Sequence, residues 1–290
     1  MTVEVADRLP SVSLVIPAYN EEERIAACLT AATEQTQPID EIIVVDNSST
    51  DDTAAIVRRF QREHPDASVR LIAQNARQGV IPTRDAGFDA ARGEVIGRID
   101  ADSLLAPEWA RHVRHRFRDQ HIDALTGPVM YYDMPFRRFG LKADDRLRKL
   151  LMRLNREYRF VFGSNMALRA SAWRDIRDEV CQDEDDLFHE DIDLSIHLAE
   201  HHLFVGYEPN MVCGISARRL DARFRDYSDY VQRFRRTYRA HRCNRHLETV
   251  PQAVLYMIYP SLHGLRHLRG RHGDQPLCAL PERVPVLSGR

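Results

Sequence analysis

Two aspartates separated by one residue, Asp100 and Asp102, follow a short apolar run in this 290-residue chain. The run contains Val95, Ile96 and Ile99, which is typical of a buried strand. Carboxylates at positions i and i+2 beyond a strand can converge on one cation, and their hard oxygen atoms suit Mg²⁺ or Mn²⁺. The stretch predicts a metal site that also receives substrate phosphate. The alternative is a polar strand-to-loop turn, because Asp and Ser are common turn residues.

A second pair of acids, Glu190 and Asp191, precedes a segment in which Ile192, Ile196 and Leu198 have helical spacing. At a helix N-terminus the macrodipole favours an ionised carboxylate by roughly 0.3–1 kcal/mol. An ionised carboxylate can act as a general base, so Asp191 is a candidate for that role. The alternative is ordinary helix capping, for which acids in the first turn are common.

Apolar runs alternate with helical segments over the first hundred residues. The predicted strands cover residues 12–17, 42–45, 69–73 and 95–99. A helix follows the first strand, with Asn20 as its predicted N-cap residue. The alternation predicts a mostly parallel sheet with helices on both faces. Ligands bind beyond the carboxyl ends of such strands, so Asp46, Asp100 and Asp102 are expected at one edge.

Further along, a strand is predicted over residues 124–130, interrupted at Gly127-Pro128. A helix is predicted over residues 144–158. The leucines expected to face inward on that helix are Leu147, Leu150, Leu151 and Leu154.

The composition changes at Ser216, which predicts a catalytic domain over residues 1–215 and a helical, arginine-rich extension over residues 216–290. Apolar residues in the extension recur at helical spacing, at Phe224, Tyr227, Val231, Phe234 and Tyr238. Arginines occupy much of the remaining helix surface. Three interpretations stay open: a helix on anionic lipid, arginines that reach a ligand phosphate, or a helix packed on the catalytic domain.

Composition excludes several classes of protein. The 41 basic and 43 acidic residues give a net charge of −2, which argues against a nucleic-acid-binding protein. Neither G-x-G-x-x-G after the first strand nor a P-loop motif is present, which argues against a dehydrogenase or a P-loop NTPase. The five cysteines are scattered without C-x-x-C spacing, so neither disulfides nor a zinc site is indicated. Histidines such as His201, His202 and His263 are interpreted as surface or structural residues, and a role for His189 stays open because it adjoins Glu190 and Asp191.

The sequence favours a cytoplasmic location. The N-terminus lacks the charged and apolar regions of a signal peptide. The longest apolar run, over residues 253–259, is shorter than the ~20 residues of a membrane span. Any membrane contact is therefore expected to be peripheral, at the inner face, through the arginine-rich helix of the extension.

Six segments, in order, resemble the inverting family 2 glycosyltransferases with the GT-A fold. They are Val15 to Glu21, Val44 to Asp51, Asn75 to Gly87, Asp100-Ala101-Asp102, Gly163-Ser164-Asn165 and Glu190-Asp191. The resemblance implies a GT-A, Rossmann-like sheet flanked by helices. It also implies a metal-dependent enzyme that moves sugar from a nucleotide-sugar to a hydroxyl acceptor.

The resemblance also implies a role for each matched residue. The residues that would bind the donor are Pro17, Ala18, Tyr19, Glu21, Asp46, Arg84, Asp100 and Ala101. Among these, Asp46 would hydrogen-bond the base, which favours UDP. Asp102 would be the metal ligand and Asp191 the general base. The residues that would line the acceptor side are Gly163, Ser164, Asn165 and Glu190.

The chain lacks the Gln-x-x-Arg-Trp signature and the membrane spans of processive members of the family, which favours transfer of a single sugar. A role in the synthesis of cell-surface glycans or glycolipids, with a lipid-linked acceptor as one option, is expected. Two alternatives stay open, a sugar-phosphate nucleotidyltransferase and a catalytically silent nucleotide-sugar-binding protein. The first would carry a Gly-rich basic loop where this chain has Pro17-Ala18-Tyr19-Asn20-Glu21.

Overall fold

The computed structural model describes residues 8–155, 158–183, 187–241 and 245–270. The strands are β1 (Val12–Ala18), β2 (Glu41–Asp46), β3 (Val69–Ala73), β4 (Val95–Arg98), β5 (Leu104–Leu105), β6 (Ala124–Thr126), β7 (Val129–Tyr131), β8 (Met166–Arg169), β9 (Val205–Tyr207) and β10 (Cys213–Ile215). The α-helices are α1 (Ile25–Thr33), α2 (Thr53–Glu63), α3 (Val80–Ala90), α4 (Trp109–Arg116), α5 (Arg137–Leu154), α6 (Ala170–Ile176), α7 (Glu190–Glu200), α8 (Phe224–Ala240) and α9 (Arg245–Gly270).

Seven strands form the main sheet, in the order β3-β2-β1-β4-β8-β6-β9. Only β8 runs antiparallel to its neighbours, so the predicted mostly parallel sheet is confirmed. The central strands are buried on both faces, because helices cover each side of the sheet. A smaller sheet has the order β5-β10-β7.

The four strands predicted in the first hundred residues agree with β1 to β4, and the strand predicted over residues 124–130 is two strands. β6 joins the main sheet and β7 the smaller one. Gly127 lies between them, where a Cβ atom would stand 2.1 Å from the backbone oxygen of Met211. The chain therefore passes from one sheet to the other at a position that has no room for a side chain.

The predicted N-cap at Asn20 is wrong, since α1 begins only at Ile25. Asn20 instead adopts a positive φ of 53°, a conformation that asparagine tolerates better than most residues. Its side-chain oxygen accepts a hydrogen bond of 2.8 Å from the backbone nitrogen of Thr50. The residue therefore ties the loop after β1 to the loop after β2.

Helix α5 presents the opposite face from the one predicted. Leu147, Leu150 and Leu154 are exposed, whereas Asp145 and Arg148 are buried. The buried charges have partners: the hydroxyl of Tyr207 donates to Asp145 at 2.9 Å, and Arg148 donates to Asp144 at 2.7 Å. The spacing of the leucines predicted the helix correctly. These ion pairs and hydrogen bonds determine which of its faces packs against the rest of the protein.

Helices α8 and α9 follow the smaller sheet. The predicted stripe of α8 is largely covered, because Tyr227, Val231 and Tyr238 are buried, and Tyr238 packs with Ile192 and Ile196 of α7. This packing agrees with the interpretation of a helix packed on the catalytic domain, although Phe224 at the start of the stripe is 59% exposed, and membrane contact through this helix stays a prediction. Among the described residues, no helix has the length and apolar character to cross a bilayer. The irregular tail predicted at the C-terminus lies outside the described residues.

Candidate active site

The loops after β1 and β2 meet at the carboxyl edge of the main sheet. In the parallel register Ala18 lies beside Asp46, so both strands end at the same level. Asp46 is only 8% exposed, and its Oδ1 atom accepts no hydrogen bond from the protein atoms that the structure describes. A buried carboxylate oxygen without a donor has the capacity to bind an N–H group of a ligand.

A cluster of three charged side chains lies where β4 gives way to the acidic turn. Arg218 places its Nε atom 3.0 Å from Asp102 Oδ2 and its Nη1 atom 3.0 Å from Glu21 Oε2. Arg218 is 44% exposed on its side chain, while both carboxylates are mostly buried. An arginine that was not predicted from the sequence therefore bridges the predicted metal ligand and a predicted donor-binding residue.

The acidic turn has the electrostatics of a cation site. Burial raises the pKa of Asp102 to about 6, and the nearby carboxylates of Asp100 and Glu21 add to the effect, against the opposing charge of Arg218. Repulsion between neighbouring carboxylates is relieved when a cation lies between them. Carboxylate oxygens are also the donors that Mg²⁺ and Mn²⁺ prefer, so Asp100 and Asp102 fit such an ion.

An ionic chain connects this turn to α7. The Nη2 atom of Arg98 lies 3.0 Å from Asp100 Oδ1 and 3.0 Å from Glu190 Oε1. The Nη1 atom of Arg84 lies 3.2 Å from Glu190 Oε2, and Arg84 also pairs with Asp85 at 2.8 Å. This ionic chain thus runs from Asp85 through two arginines and Glu190 to Asp100. It joins α3, β4 and α7 at one edge of the main sheet.

Two predicted roles change in view of this chain. Arg84 is fully buried and forms ion pairs with Asp85 and Glu190. Its guanidinium therefore does not face a donor as predicted. Glu190, predicted on the acceptor side, has both carboxylate oxygens engaged by arginines. Arg98 was not predicted as a site residue, yet it links the acidic turn to α7.

Asp191 lies in the first turn of α7, where the sequence predicts it. Its Oδ2 atom accepts a hydrogen bond of 3.0 Å from the backbone nitrogen of Gly163, and its Oδ1 atom accepts one of 2.9 Å from Ile192. These bonds hold the carboxylate in one orientation.

The segment Gly163-Ser164-Asn165 divides into different roles. Asn165 is fully buried: its amide donates to the backbone oxygens of Pro128 and Met211 and accepts from Trp109. These contacts satisfy the side chain within the core, which corrects the prediction that Asn165 lines the acceptor side. Ser164 is half-buried, and its predicted role stays a prediction.

Replacement of Gly163 by alanine should destabilise the protein by about 1–3 kcal/mol, the usual cost of overpacking. A Cβ atom there would stand 2.1 Å from Arg98 Nη1 and 2.7 Å from Glu190 Oε1, so the ionic chain would have to move. The measurement is thermal unfolding of Gly163→Ala beside Gly140→Ala, because a Cβ atom at Gly140 would meet no described residue within 4 Å. Equal unfolding temperatures for the two variants would contradict the packing described.

With this geometry established, comparison with known sequences decides the family. The family model described as "Glycosyl transferase family 2" matches residues 13–177, which is more than half of the chain. The chain belongs to glycosyl transferase family 2. The match covers β1 to β4 with the acidic turn, the β6 to β8 region and Gly163, and it ends before α7.

Curated relatives of this family 2 chain match over shorter stretches. Glycosyltransferase AglE of Haloferax volcanii is 32% identical over 125 residues, which is 42% of this chain and 40% of the relative. The succinoglycan biosynthesis protein ExoO of Rhizobium meliloti is 35% identical over 116 residues, 40% of this chain and 32% of the relative. The matched region thus spans less than half the length of these relatives.

Solved structures of glycosyltransferases share the fold. The mannosyltransferase PcManGT of Pyrobaculum calidifontis, in complex with GDP-Man and Mn²⁺, aligns over 94% of this chain and 78% of its own, with a TM-score of 0.62 and 22% identity. Glucosyl-3-phosphoglycerate synthase of Mycobacterium tuberculosis, in complex with Mn²⁺, UDP and glucosyl-3-phosphoglycerate, aligns over 83% of each chain with a TM-score of 0.57 and 19% identity. The predicted GT-A fold is confirmed.

Proposed function

We propose that this chain transfers a single sugar from a nucleotide-sugar to a hydroxyl acceptor, with inversion at the anomeric carbon. The observation that carries the proposal is the ionic chain from Asp100 through Arg98 to Glu190. It fixes the acidic turn, suited to a cation and phosphate, relative to the helix that bears Asp191. A leaving-group site and a base site held by one rigid network are what a displacement reaction needs.

The base would be Asp191. A sugar hydroxyl is barely ionised at neutral pH, so its proton must pass to a carboxylate as the oxygen attacks the anomeric carbon. The two backbone hydrogen bonds to Asp191 keep its carboxylate oriented for that transfer. Inversion requires the hydroxyl to approach from the face opposite the departing diphosphate, and a base on a different element from the acidic turn is compatible with this.

The acidic turn would hold the departing diphosphate. Asp102, with Asp100, would bind Mg²⁺ or Mn²⁺, which when bound neutralises charge that develops on the leaving group. The two structural neighbours above contain Mn²⁺, which supports the choice of a hard divalent ion. Arg218 is half-exposed, so its guanidinium can turn from Asp102 and Glu21 towards phosphate oxygens when a donor enters.

Asp46 would recognise the base of the donor. Its buried Oδ1 atom matches the N3–H group of uracil, which supports a UDP-sugar, although guanine also offers N–H donors. The neighbours include both a GDP-Man complex and a UDP complex. Pro17 and Ala18 end β1 and Tyr19 follows it, and the contacts of these residues with the base and ribose stay predictions.

Replacement of Asp46 by asparagine should weaken nucleotide binding by about tenfold or more, because a buried acceptor is replaced by a group that also presents N–H donors. The measurement is calorimetric titration with UDP in the presence of Mn²⁺. Asp52→Asn is the matched control, since Asp52 is exposed beyond the same strand. Affinities for UDP that agree within a factor of two across wild type and both variants would refute the assignment.

The acceptor would be a hydroxyl compound, with a lipid-linked glycan as the favoured class. The exposed face of α5 supports contact with a membrane. Its apolar side chains recur at intervals of three and four residues, and Phe139 is 74% exposed. This face, together with Phe136 directly before the helix, is called the α5 stripe, and its members are Phe136, Phe139, Ala143, Leu147, Leu150 and Leu154.

Basic side chains border the α5 stripe. Lys142, Arg146 and Arg153 are exposed one residue before Ala143, Leu147 and Leu154. Apolar side chains flanked by cations are complementary to a bilayer that carries anionic headgroups. A cavity of about 320 Å³ beside the same helix is lined by Lys149, Met152, Arg153, Arg159 and Tyr207, which would suit an anionic headgroup.

Leu150→Glu should abolish binding to vesicles that contain phosphatidylglycerol, because a charge would enter the middle of the α5 stripe. The measurement is co-sedimentation with anionic vesicles, with vesicles of phosphatidylcholine alone as the lipid control. Met257→Glu serves as the protein control, since Met257 is 73% exposed on α9. If wild type does not bind the vesicles, the α5 stripe does not contact lipid. If wild type is a dimer and Leu150→Glu is a monomer, the stripe is an interface between two copies of the protein instead.

A further inference from the structure

Four side chains of metal-ligand type meet away from the acidic turn. Cys181 follows α6, Asp193 and His197 lie one turn apart on α7, and His241 comes directly after α8. One ligand atom from each residue lies within 4.8 Å of the other three. The four residues, called the Cys-Asp-His-His cluster, therefore bring three separate parts of the chain to a single point.

The distances within the cluster suit a small tetrahedral ion. Cys181 Sγ lies 3.6 Å from His241 Nε2, and His197 Nε2 lies 3.6 Å from Asp193 Oδ1. Bonds of about 2.0 to 2.3 Å at a tetrahedral angle separate ligand atoms by about 3.3 to 3.6 Å. The shortest pair, His241 Nε2 and Asp193 Oδ1 at 2.7 Å, would have to open by roughly half an ångström.

Charge also favours an ion of charge +2. Asp193 is fully buried, and His197 is nearly so. A thiolate, a carboxylate and two neutral imidazoles carry a total charge of −2, which Zn²⁺ would cancel. Burial of a neutral site costs far less than burial of unbalanced charge. The mixture of one sulfur, two nitrogens and one oxygen is typical of zinc rather than of Mg²⁺ or Mn²⁺.

The surroundings of the cluster orient its ligands. Glu200 Oε2 lies 3.2 Å from the Nδ1 atom of His197, and within the described part of the chain neither buried ring nitrogen of His197 has a hydrogen-bond partner, so Nε2 is available to a metal. The other oxygen of Asp193 accepts a hydrogen bond of 3.1 Å from the backbone nitrogen of Cys181. Each contact leaves one ligand atom directed into the cluster.

We propose that Cys181, Asp193, His197 and His241 bind one Zn²⁺ ion, which fixes α8 and the loop after α6 to α7. This ion is structural and separate from the cation proposed at Asp102. Because Asp193 lies two residues beyond Asp191 on the same helix, the zinc would also hold the helix that bears the proposed base. The sequence gives little sign of the site, since only Asp193 and His197 are close neighbours along the chain.

The experiment is to load the full chain with Zn²⁺, remove weakly bound metal by desalting, and measure the metal content. We expect zinc in equimolar amount, and a higher melting temperature that falls when a strong chelator is added. After replacement of the zinc by Co²⁺, the visible spectrum should show tetrahedral bands and a sulfur-to-cobalt charge-transfer band. Loss of all zinc on desalting, or an octahedral cobalt spectrum without the sulfur band, would overturn the proposal without any variant.

Single substitutions test which side chains bind the zinc. Cys181→Ser should remove the charge-transfer band, and His241→Gln should weaken zinc binding by more than about 100-fold. His115→Gln, on an exposed histidine of α4, should bind zinc like wild type. Asp102→Asn should also retain the zinc, so the result is independent of the proposed transferase activity. Equal zinc affinity in His241→Gln and His115→Gln would place the metal elsewhere.

Discussion

Asp191→Asn should lower the rate of sugar transfer by about 10²- to 10⁴-fold, the usual contribution of a general base. The amide that replaces the carboxylate cannot take a proton from the attacking hydroxyl. It can still accept a hydrogen bond from Gly163 or Ile192, so the N-terminus of α7 should remain in place. The measurement is single-turnover transfer from a nucleotide-sugar, with thermal unfolding to verify that the variant is folded.

Asp178→Asn is the control for this substitution, because its side chain is 94% exposed on the surface after α6. It should transfer sugar at the wild-type rate. The base assignment is wrong if Asp191→Asn stays within a few-fold of wild type while it remains folded. A normal affinity for the donor in Asp191→Asn is expected as well, since the substitution removes a step of the reaction rather than a contact with the nucleotide.

Asp102→Asn should reduce metal-supported transfer by about 10³-fold, which corresponds to the several kcal/mol that a bound cation contributes to a departing diphosphate. It should also abolish the rise in melting temperature that Mn²⁺ and UDP produce in wild type. Asp66→Asn, on an exposed residue, is the control and should behave like wild type. Full Mn²⁺ dependence in Asp102→Asn would contradict the proposed ligand.

The pH dependence of the stabilisation by Mn²⁺ follows from the pKa of Asp102, which is raised to about 6. A carboxyl whose pKa is higher in the folded than in the unfolded protein binds more protons when folded. Its contribution to stability is therefore lost as pH rises from about 4 to about 6. A cation binds the ionised form and reverses this trend, so stabilisation by Mn²⁺ should be small at pH 5 and large at pH 7.5.

The sheet could be predicted from sequence because its strands are continuous apolar runs that end in polar loops. Val44, Val45 and Asp46 illustrate the pattern, since the apolar run ends at Asp46, which is the last residue of β2. The position of Asp191 in the first turn of a helix followed from apolar spacing in the same way. Local periodicity carried both predictions, and neither needed knowledge of distant contacts.

Distant contacts account for what sequence could not predict. Arg218 meets Glu21 across 197 positions of the chain, and no local pattern marks that pair. Arg84 has the residue type expected of a phosphate ligand, but Glu190, 106 positions away, uses its charge inside the protein. For α5, apolar spacing gave a helix, and partners for the buried Asp145 decided which side faces the core. Residue type thus indicated what a side chain could bind, and contacts between distant parts of the chain determined what it binds in the fold.

The proposed mechanism is tested by a crystal structure with Mn²⁺, a non-hydrolysable nucleotide-sugar and an acceptor. We expect an ion that contacts both Asp102 and the diphosphate, with the carboxylate of Asp191 within hydrogen-bonding distance of the acceptor hydroxyl on the opposite side of the anomeric carbon. A diphosphate without an ion at Asp102, or an Asp191 directed away from the acceptor, would contradict it.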